Sequence, residues 1–172
     1  SYVISIDTGT DKGDRHSFSV VQVWATNGGN HYLVDQYRER CDFEDLLRAA
    51  RVSCRRHAQS PVLIEATANG PALISKLKRM WPKRIVAITP RDSKSKRLRP
   101  HIEPIVAGRV HLPLGAPFCD GVITEFTEFP FGLHSDQVDA FSQYLNWVTD
   151  NPELLATTSS RPALVAVGLN ST

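Results

Sequence analysis

A chain of 172 residues, 41% of them hydrophobic, is long enough to bury the core of one ordinary domain without disulfides or a structural metal. Its three cysteines, Cys41, Cys54 and Cys119, form no Cys-x-x-Cys pair, which argues against a disulfide framework or a zinc site and for a reducing, cytosolic compartment. Net charge is only +2, no apolar run approaches a membrane span or a signal peptide, and an opening directly inside a strand suggests a domain cut from something longer.

Tyr2 to Ile6 reads as a short apolar strand ending at Asp7, and Ser17 to Thr26, with Phe18, Val20, Val21, Val23 and Trp24, as a second. Asn27, Gly28, Gly29 and Asn30 form a hairpin turn into a third strand, His31 to Tyr37. These three make an antiparallel meander. Asp42 is placed to cap a helix reaching about His57, with Phe43, Leu46, Leu47 and Ala50 on one face. Pro61 introduces a fourth strand, Val62 to Ile64, which ends at Glu65. Pro71 starts a helix to about Met80, and Arg84 to Ile88 is a further strand.

Arg91 to Arg99 reads as an exposed basic loop, followed by a helix with Pro100 and Pro104 that ends at Gly108 and that Pro104 should kink. Val110 to Leu112 fits an edge strand, Phe118 to Phe129 a helix, and Asp136 to Thr149 a strong helix. From Asn151 the Ser-, Thr- and Ala-rich sequence reads as a poorly ordered tail, so that residues 1–150 form one domain and 151–172 a flexible extension. The Asp11 and Asp14 loop reads as solvated.

Charge is unevenly spread. From Lys76 to Arg109 there are eleven lysines and arginines against Asp92 and Glu103, a local +9, which leaves the rest of the chain at −7. Such a stripe is either a solvated face or a grip on a polyanion beside a carboxylate-rich region, and its concentration in one segment favours the second.

A meander followed by alternating helix and strand puts the first strand at the centre of a mixed sheet in an α/β fold. If the strand ending at Glu65 pairs parallel with the first, Asp7 and Glu65 emerge at one sheet edge, about 4.8 Å apart. Asp136 and Asp139 differ by only about 60° around their helix. Four acids so placed predict two divalent ions, Mg²⁺ or Mn²⁺, since hard oxygen ligands suit those metals and in-line phosphodiester cleavage uses ions about 3.5 to 4 Å apart.

Each acid also has a plain structural reading. Asp7 could simply begin a turn, Glu65 could cap a helix, and Asp136 suits any helix N-terminus by charge alone. Asp139 is harder to assign this way, because Val138, Ala140, Phe141, Tyr144, Leu145, Trp147 and Val148 make its helix apolar nearly all round. A loop or capping role suits His134 at least as well as proton transfer, and Phe126, Phe129 and Phe131 read as core or lid packing.

Ile4-Ser5-Ile6-Asp7-Thr8, Leu63-Ile64-Glu65-Ala66 and His134-Ser135-Asp136-Gln137-Val138-Asp139-Ala140 resemble, in order, the three acidic motifs of the nuclease domain of bacteriophage large terminase subunits. Lys94, Arg97 and Gly108 resemble that family's basic segment and following glycine. The resemblance covers Tyr2 to Trp147. It implies a ribonuclease-H-like fold and a metal-dependent endonuclease that cuts concatemeric double-stranded viral DNA in the host cytoplasm. Asp7, Glu65, Asp136 and Asp139 would be the metal-binding and catalytic residues, with Lys94, Lys96, Arg97 and Arg99 on DNA phosphates. The implied partners are an ATPase domain of the same polypeptide, the portal and the small terminase subunit. Where many members read His-Asp-Asp this chain has His134-Ser135-Asp136, which leaves both Asp136 and Asp139 as candidates for the direct ligand. No phosphate-loop motif is present, so the chain would be the nuclease without its motor. A Holliday-junction resolvase and a non-catalytic DNA- or portal-docking module are the alternatives.

Overall fold

Six strands make one mixed sheet in the order β5-β4-β1-β2-β3-β6. The computed structural model describes residues 1–9, 17–89 and 102–154. The strands are β1 (Tyr2–Asp7), β2 (Ser19–Asn27), β3 (Asn30–Glu39), β4 (Val62–Glu65), β5 (Ile85–Ile88) and β6 (Val110–His111). The helices are α1 (Phe43–Arg56), α2 (Gly70–Met80), α3 (Ile102–Val106), α4 (Cys119–Glu128) and α5 (Asp136–Asp150). β1 is interior, antiparallel to β2 and parallel to β4, as the order of elements predicts. The ribonuclease-H-like mixed sheet expected from the sequence is the fold observed.

Local sequence explains most of these elements. Gly28 and Gly29 take φ of 56° and 77°, the left-handed pair that a two-residue hairpin between twisted strands requires. Asp42 caps α1 by accepting from the Asp45 amide at 2.9 Å, satisfying one of the helix's orphan donors. Pro104 lies at the third residue of α3, in the first turn, where its missing N–H has no helical acceptor to lose. It therefore sits inside a one-turn helix that Gly108, at φ 68°, follows. Of the tail expected from Asn151, a 3₁₀ turn is formed at Pro152–Leu154; residues 155–172 lie outside the described residues.

Alternation along β1 divides the core between the two faces of the sheet. Ile4 and Ile6 join Val21, Val23 and Val62 under Leu46, Leu47 and Ala50 of α1 and Leu73 and Leu77 of α2. Val3 joins Trp24, Leu33 and Leu63 under Val122 of α4 and Phe141, Tyr144 and Leu145 of α5. Trp24 stacks on Tyr144 with centroids 5.1 Å apart, and each such buried side chain contributes about 1.5–3 kcal/mol relative to exposure. α5 is buried without interruption from Asp136 to Leu145, matching its nearly all-round apolar sequence. Among the described residues no helix is long and apolar enough to cross a membrane.

Candidate functional site

The parallel register of β1 and β4 places Ile6 beside Ile64, so the next residue on each strand, Asp7 and Glu65, leaves the sheet at the same edge. Both are half-buried. Thr67 Oγ1 donates to Glu65 Oε1 at 2.9 Å. The loops beyond are joined to each other. Thr8 Oγ1 donates to the Thr67 carbonyl at 3.5 Å, Asn69 Nδ2 to the Gly9 carbonyl at 3.4 Å, and the Gly9 amide to Ser19 Oγ at 3.2 Å. Gly70 lets α2 start directly against this edge, because a Cβ there would sit 1.8 Å from the Glu65 carbonyl oxygen.

α5 crosses the sheet antiparallel to β1, bringing its N-terminal end to the same edge. Gln143 fixes the crossing: its Nε2 donates to Ser5 Oγ at 2.9 Å and to the Ile6 and Leu63 carbonyls, each at 3.3 Å. Asp139 lies four residues earlier and Asp136 seven, one and two turns along the same helix face. They are 4% and 8% exposed. Asp136 accepts from the Phe18 amide at 3.3 Å and from Ser17 Oγ at 3.4 Å, while Asp139 Oδ2 accepts from Ser135 Oγ at 3.3 Å. Since Asp7 is registered with Val20, Asp136 contacts β2's approach close to the strand end that carries Asp7.

The fold thus brings three well-separated stretches of sequence, carrying Asp7, Glu65 and the pair Asp136 and Asp139, toward one edge. Among the described residues, however, no group of three or more His, Cys, Asp or Glu side chains is close enough to hold a metal ion. Carboxylate oxygens suit a hard divalent cation, and bringing a third such group to ligand distance requires a cation between them, because like charges in a half-buried site repel. Donor type and placement fit a metal of this kind; ligand distances are not met as the side chains stand.

The other predicted residues fare differently. Lys94, Lys96, Arg97 and Arg99 lie outside the described residues, as do Asp11 and Asp14. Within the basic stripe, Arg84 turns inward to the carbonyls of Cys54, His57 and Ser60, and Arg109 pairs with Glu103. Arg84 thereby serves the fold, while the Arg109 pair is on the surface. His134 packs edge-on against Phe18, with centroids 4.9 Å apart. Phe126 packs on the core, whereas Phe131, for which the sequence left core or lid packing open, is 95% exposed in the loop before α5 and so is not in the core.

Glu125 on α4 was not indicated by the acidic motifs. Only 4% exposed, it is salt-bridged to Arg38 of β3 at 3.1 Å and accepts from the Gln137 amide at 2.6 Å. One sequence signal does mark it: it interrupts the stripe Phe118, Val122, Phe126, so an acid sits on the helix face that packs inward.

A mixed sheet of this order with helices on both faces defines a ribonuclease-H-like α/β protein. Residues 4–147 match the terminase RNaseH-like domain, and the chain belongs to that family. The large terminase nuclease from thermophilic phage G20c, solved with bound zinc, is similar with a TM-score of 0.66 at 16% identity, over 84% of this chain and 80% of that one. It has also been solved with cobalt and with magnesium. The large terminase from a second thermophilic bacteriophage matches with a TM-score of 0.66 at 14% identity, over 87% of this chain and 39% of that one. The resolvase of Fowlpox virus, solved with Holliday-junction DNA, matches at 0.56 and 11% identity, over 88% and 99%. At such identities the structural likeness carries the fold alone. No curated protein matches the chain in sequence.

Proposed function

We propose that this chain is a divalent-metal-dependent endonuclease domain that cuts double-stranded concatemeric DNA during viral genome packaging, with little sequence preference. The observation that carries the reading is the shared edge: parallel β1 and β4 present Asp7 and Glu65 together, and the buried acidic start of α5 reaches the same place. Membership of the terminase RNaseH-like domain family supports it, as do the metals bound by the G20c nuclease.

Asp7 would bridge two Mg²⁺ or Mn²⁺ ions, Glu65 and Asp139 would each complete one, and Asp136 would be an additional or alternative ligand. When bound, such ions supply an activated water and stabilise the leaving oxygen. The chain's own residues hold these acids on rigid strand ends and on a buried helix. Lys94, Lys96, Arg97 and Arg99 would hold phosphates, positioning the duplex without reading sequence. The ATPase domain of the same polypeptide, the portal and the small terminase subunit are the proposed partners, in the host cytoplasm.

The deciding experiment is cleavage of linear duplex DNA with Mn²⁺ by the wild type and by Asp7→Asn. Loss of cutting in the variant is expected, and undiminished cutting would remove the site as drawn. The likeness to the Fowlpox resolvase gives a second reading, which branched substrates test: a strong preference for four-way junctions over linear duplex would favour it. Absence of Mn²⁺ binding at millimolar ion would instead favour a non-catalytic docking module.

A further inference from the structure

Burying a carboxylate as deeply as that of Glu125 is costly unless hydrogen-bond donors and a cation meet it, and it has both. Its Oε1 accepts from the backbone amides of Gln137 at 2.6 Å and Val138 at 3.4 Å, and its Oε2 from Gln137 Nε2 at 2.6 Å and Arg38 Nη2 at 3.1 Å. Gln137 and Val138 are in the first turn of α5. Ser135, the residue at the helix's N-cap position, makes no capping hydrogen bond with its side chain. A carboxylate from α4 therefore does what a local cap ordinarily does.

The same group is linked to Asp136 by a second route. The Arg38 guanidinium carbon lies 3.7 Å from the centroid of the Phe18 ring, and the Phe18 amide donates to Asp136 Oδ2. On the inner side Gln137 is fixed by Gln36 Nε2 at 2.8 Å and Gln22 Nε2 at 3.3 Å. Gln22 is itself held by Trp24 Nε1 at 2.9 Å. The turn that carries Asp136 and Asp139 is thus clamped by α4 and by β3 as well as by its own helix.

We infer that Glu125 and Arg38 are positioning residues for the nuclease centre: together they set the depth and rotation of the first turn of α5, so that Asp136 and Asp139 face the end of β1. This rests on the metal-dependent nuclease reading above. Neither residue touches substrate; each acts through the backbone of α5 or through Phe18. Geometric precision of this order decides how well acidic side chains can share an ion.

The test compares wild type with Glu125→Gln and Arg38→Met, and with Arg84→Met as a control whose lost contacts are at the far end of α1. In metal-free protein, amide hydrogen exchange at Gln137 and Val138 is expected to quicken roughly tenfold in Glu125→Gln, because charge-assisted acceptors of the first turn are lost. Mn²⁺ affinity by titration calorimetry is expected to fall roughly tenfold in Glu125→Gln and Arg38→Met, within the range seen when residues supporting metal ligands are removed. Cleavage should recover as Mn²⁺ is raised. Arg84→Met should lower thermal stability yet bind Mn²⁺ as the wild type does. Unchanged Mn²⁺ affinity in both site-side variants overturns the inference while leaving the nuclease reading intact, and so does an equal loss in Arg84→Met. If Glu125→Gln fails to fold, Arg38→Met decides alone. Wild type that neither binds Mn²⁺ nor cuts DNA defeats the underlying reading, and this inference with it.

Discussion

The hydroxyl of Ser5, in the middle of β1, donates to the carbonyl of Ala140 on α5 at 2.7 Å and accepts from Gln143 Nε2 at 2.9 Å. Ser5 is fully buried, so these bonds form away from water, where each is costly to leave half-made. Through them, and through the Gln143 bonds to the Ile6 and Leu63 carbonyls, one helix is locked to both acid-bearing strands.

Removing that lock should cost stability and alignment together. Gln143→Ala leaves Ser5 and two strand carbonyls without this donor, and a destabilisation on the order of 2 kcal/mol is expected. Urea unfolding followed by far-UV circular dichroism reads it as a lower midpoint at unchanged slope. A midpoint equal to that of the wild type would show that the polar contact contributes nothing net.

Arg84 offers a second case in which charge serves the fold. Its Nε, Nη1 and Nη2 donate to the carbonyls of Ser60, Cys54 and His57 at 2.7, 3.0 and 2.7 Å. These acceptors include the last turn of α1, where the helix presents unsatisfied carbonyls and partial negative charge. Arg84→Met should lose about 2–3 kcal/mol, because bonds to a charged donor are stronger than neutral ones. Arg84→Lys should recover only part of this, since one ammonium cannot reproduce a three-way fork. Thermal denaturation of the two variants side by side distinguishes the outcomes.

The strands, the Gly28-Gly29 hairpin and the Asp42 cap were legible because each is written within a few residues. The edge shared by Asp7 and Glu65 was legible at one remove, as it follows from a parallel pairing that element order implies. Glu125 and the inward turn of Arg84 were not, because their meaning depends on partners 12 to 87 residues away and 24 to 30 away. A lysine- and arginine-rich stretch reads the same whether its side chains face a polyanion or cap a helix. Pro104 misled for a related reason: its cost depends on where the helix starts, and its position in the first turn removes that cost.

Alkaline stability should report on Cys54. Burial pushes its thiol up to about 11 from an ordinary 9.0, with the Arg84 guanidinium opposing. A thiol with a raised folded-state value contributes stability that is complete below pH 9 and is lost as pH rises toward 11, because the unfolded chain ionises first. Burial also raises the Tyr37 and Tyr144 hydroxyls above their ordinary 10.0, so their contributions start to fall as pH approaches 10 and are lost mainly above it. Between pH 9 and 10 the part of the loss that belongs to Cys54 should be about 1 kcal/mol. Cys54→Ala should make that interval of a stability-versus-pH curve shallower by about that amount, even if its overall stability is lower.

The basic segment makes a prediction about ionic strength. Each phosphate contact made by Lys94, Lys96, Arg97 or Arg99 should add to the slope of log affinity against log salt, through counterion release. Single alanine substitutions should weaken duplex binding similarly for unrelated sequences and lower the slope by about 1 each. Fluorescence anisotropy over a salt series measures both. A slope unchanged in the quadruple variant would assign the segment to a solvated face.

Asp136 and Asp139 should separate by what each already does in the protein. Asp136 spends both oxygens on β2's approach, accepting from the Phe18 amide and from Ser17 Oγ, and an asparagine can keep the first of these through its remaining carbonyl oxygen. Asp139 is more deeply buried and lies one turn from Gln143, the residue that fixes α5 to β1 and β4. Asp139→Asn and Asp7→Asn are therefore expected to lose cleavage on the order of a hundredfold or more at saturating Mn²⁺, as removal of a group that stabilises developing charge does. Asp136→Asn should lose roughly tenfold, the size of one weakened contact. Supercoiled-plasmid relaxation and linear-duplex cutting, at several Mn²⁺ concentrations, measure all three. If Asp136→Asn is the most damaging of them and folds normally, Asp136 is the direct ligand and Asp139 the supporting one, reversing the order proposed for α5.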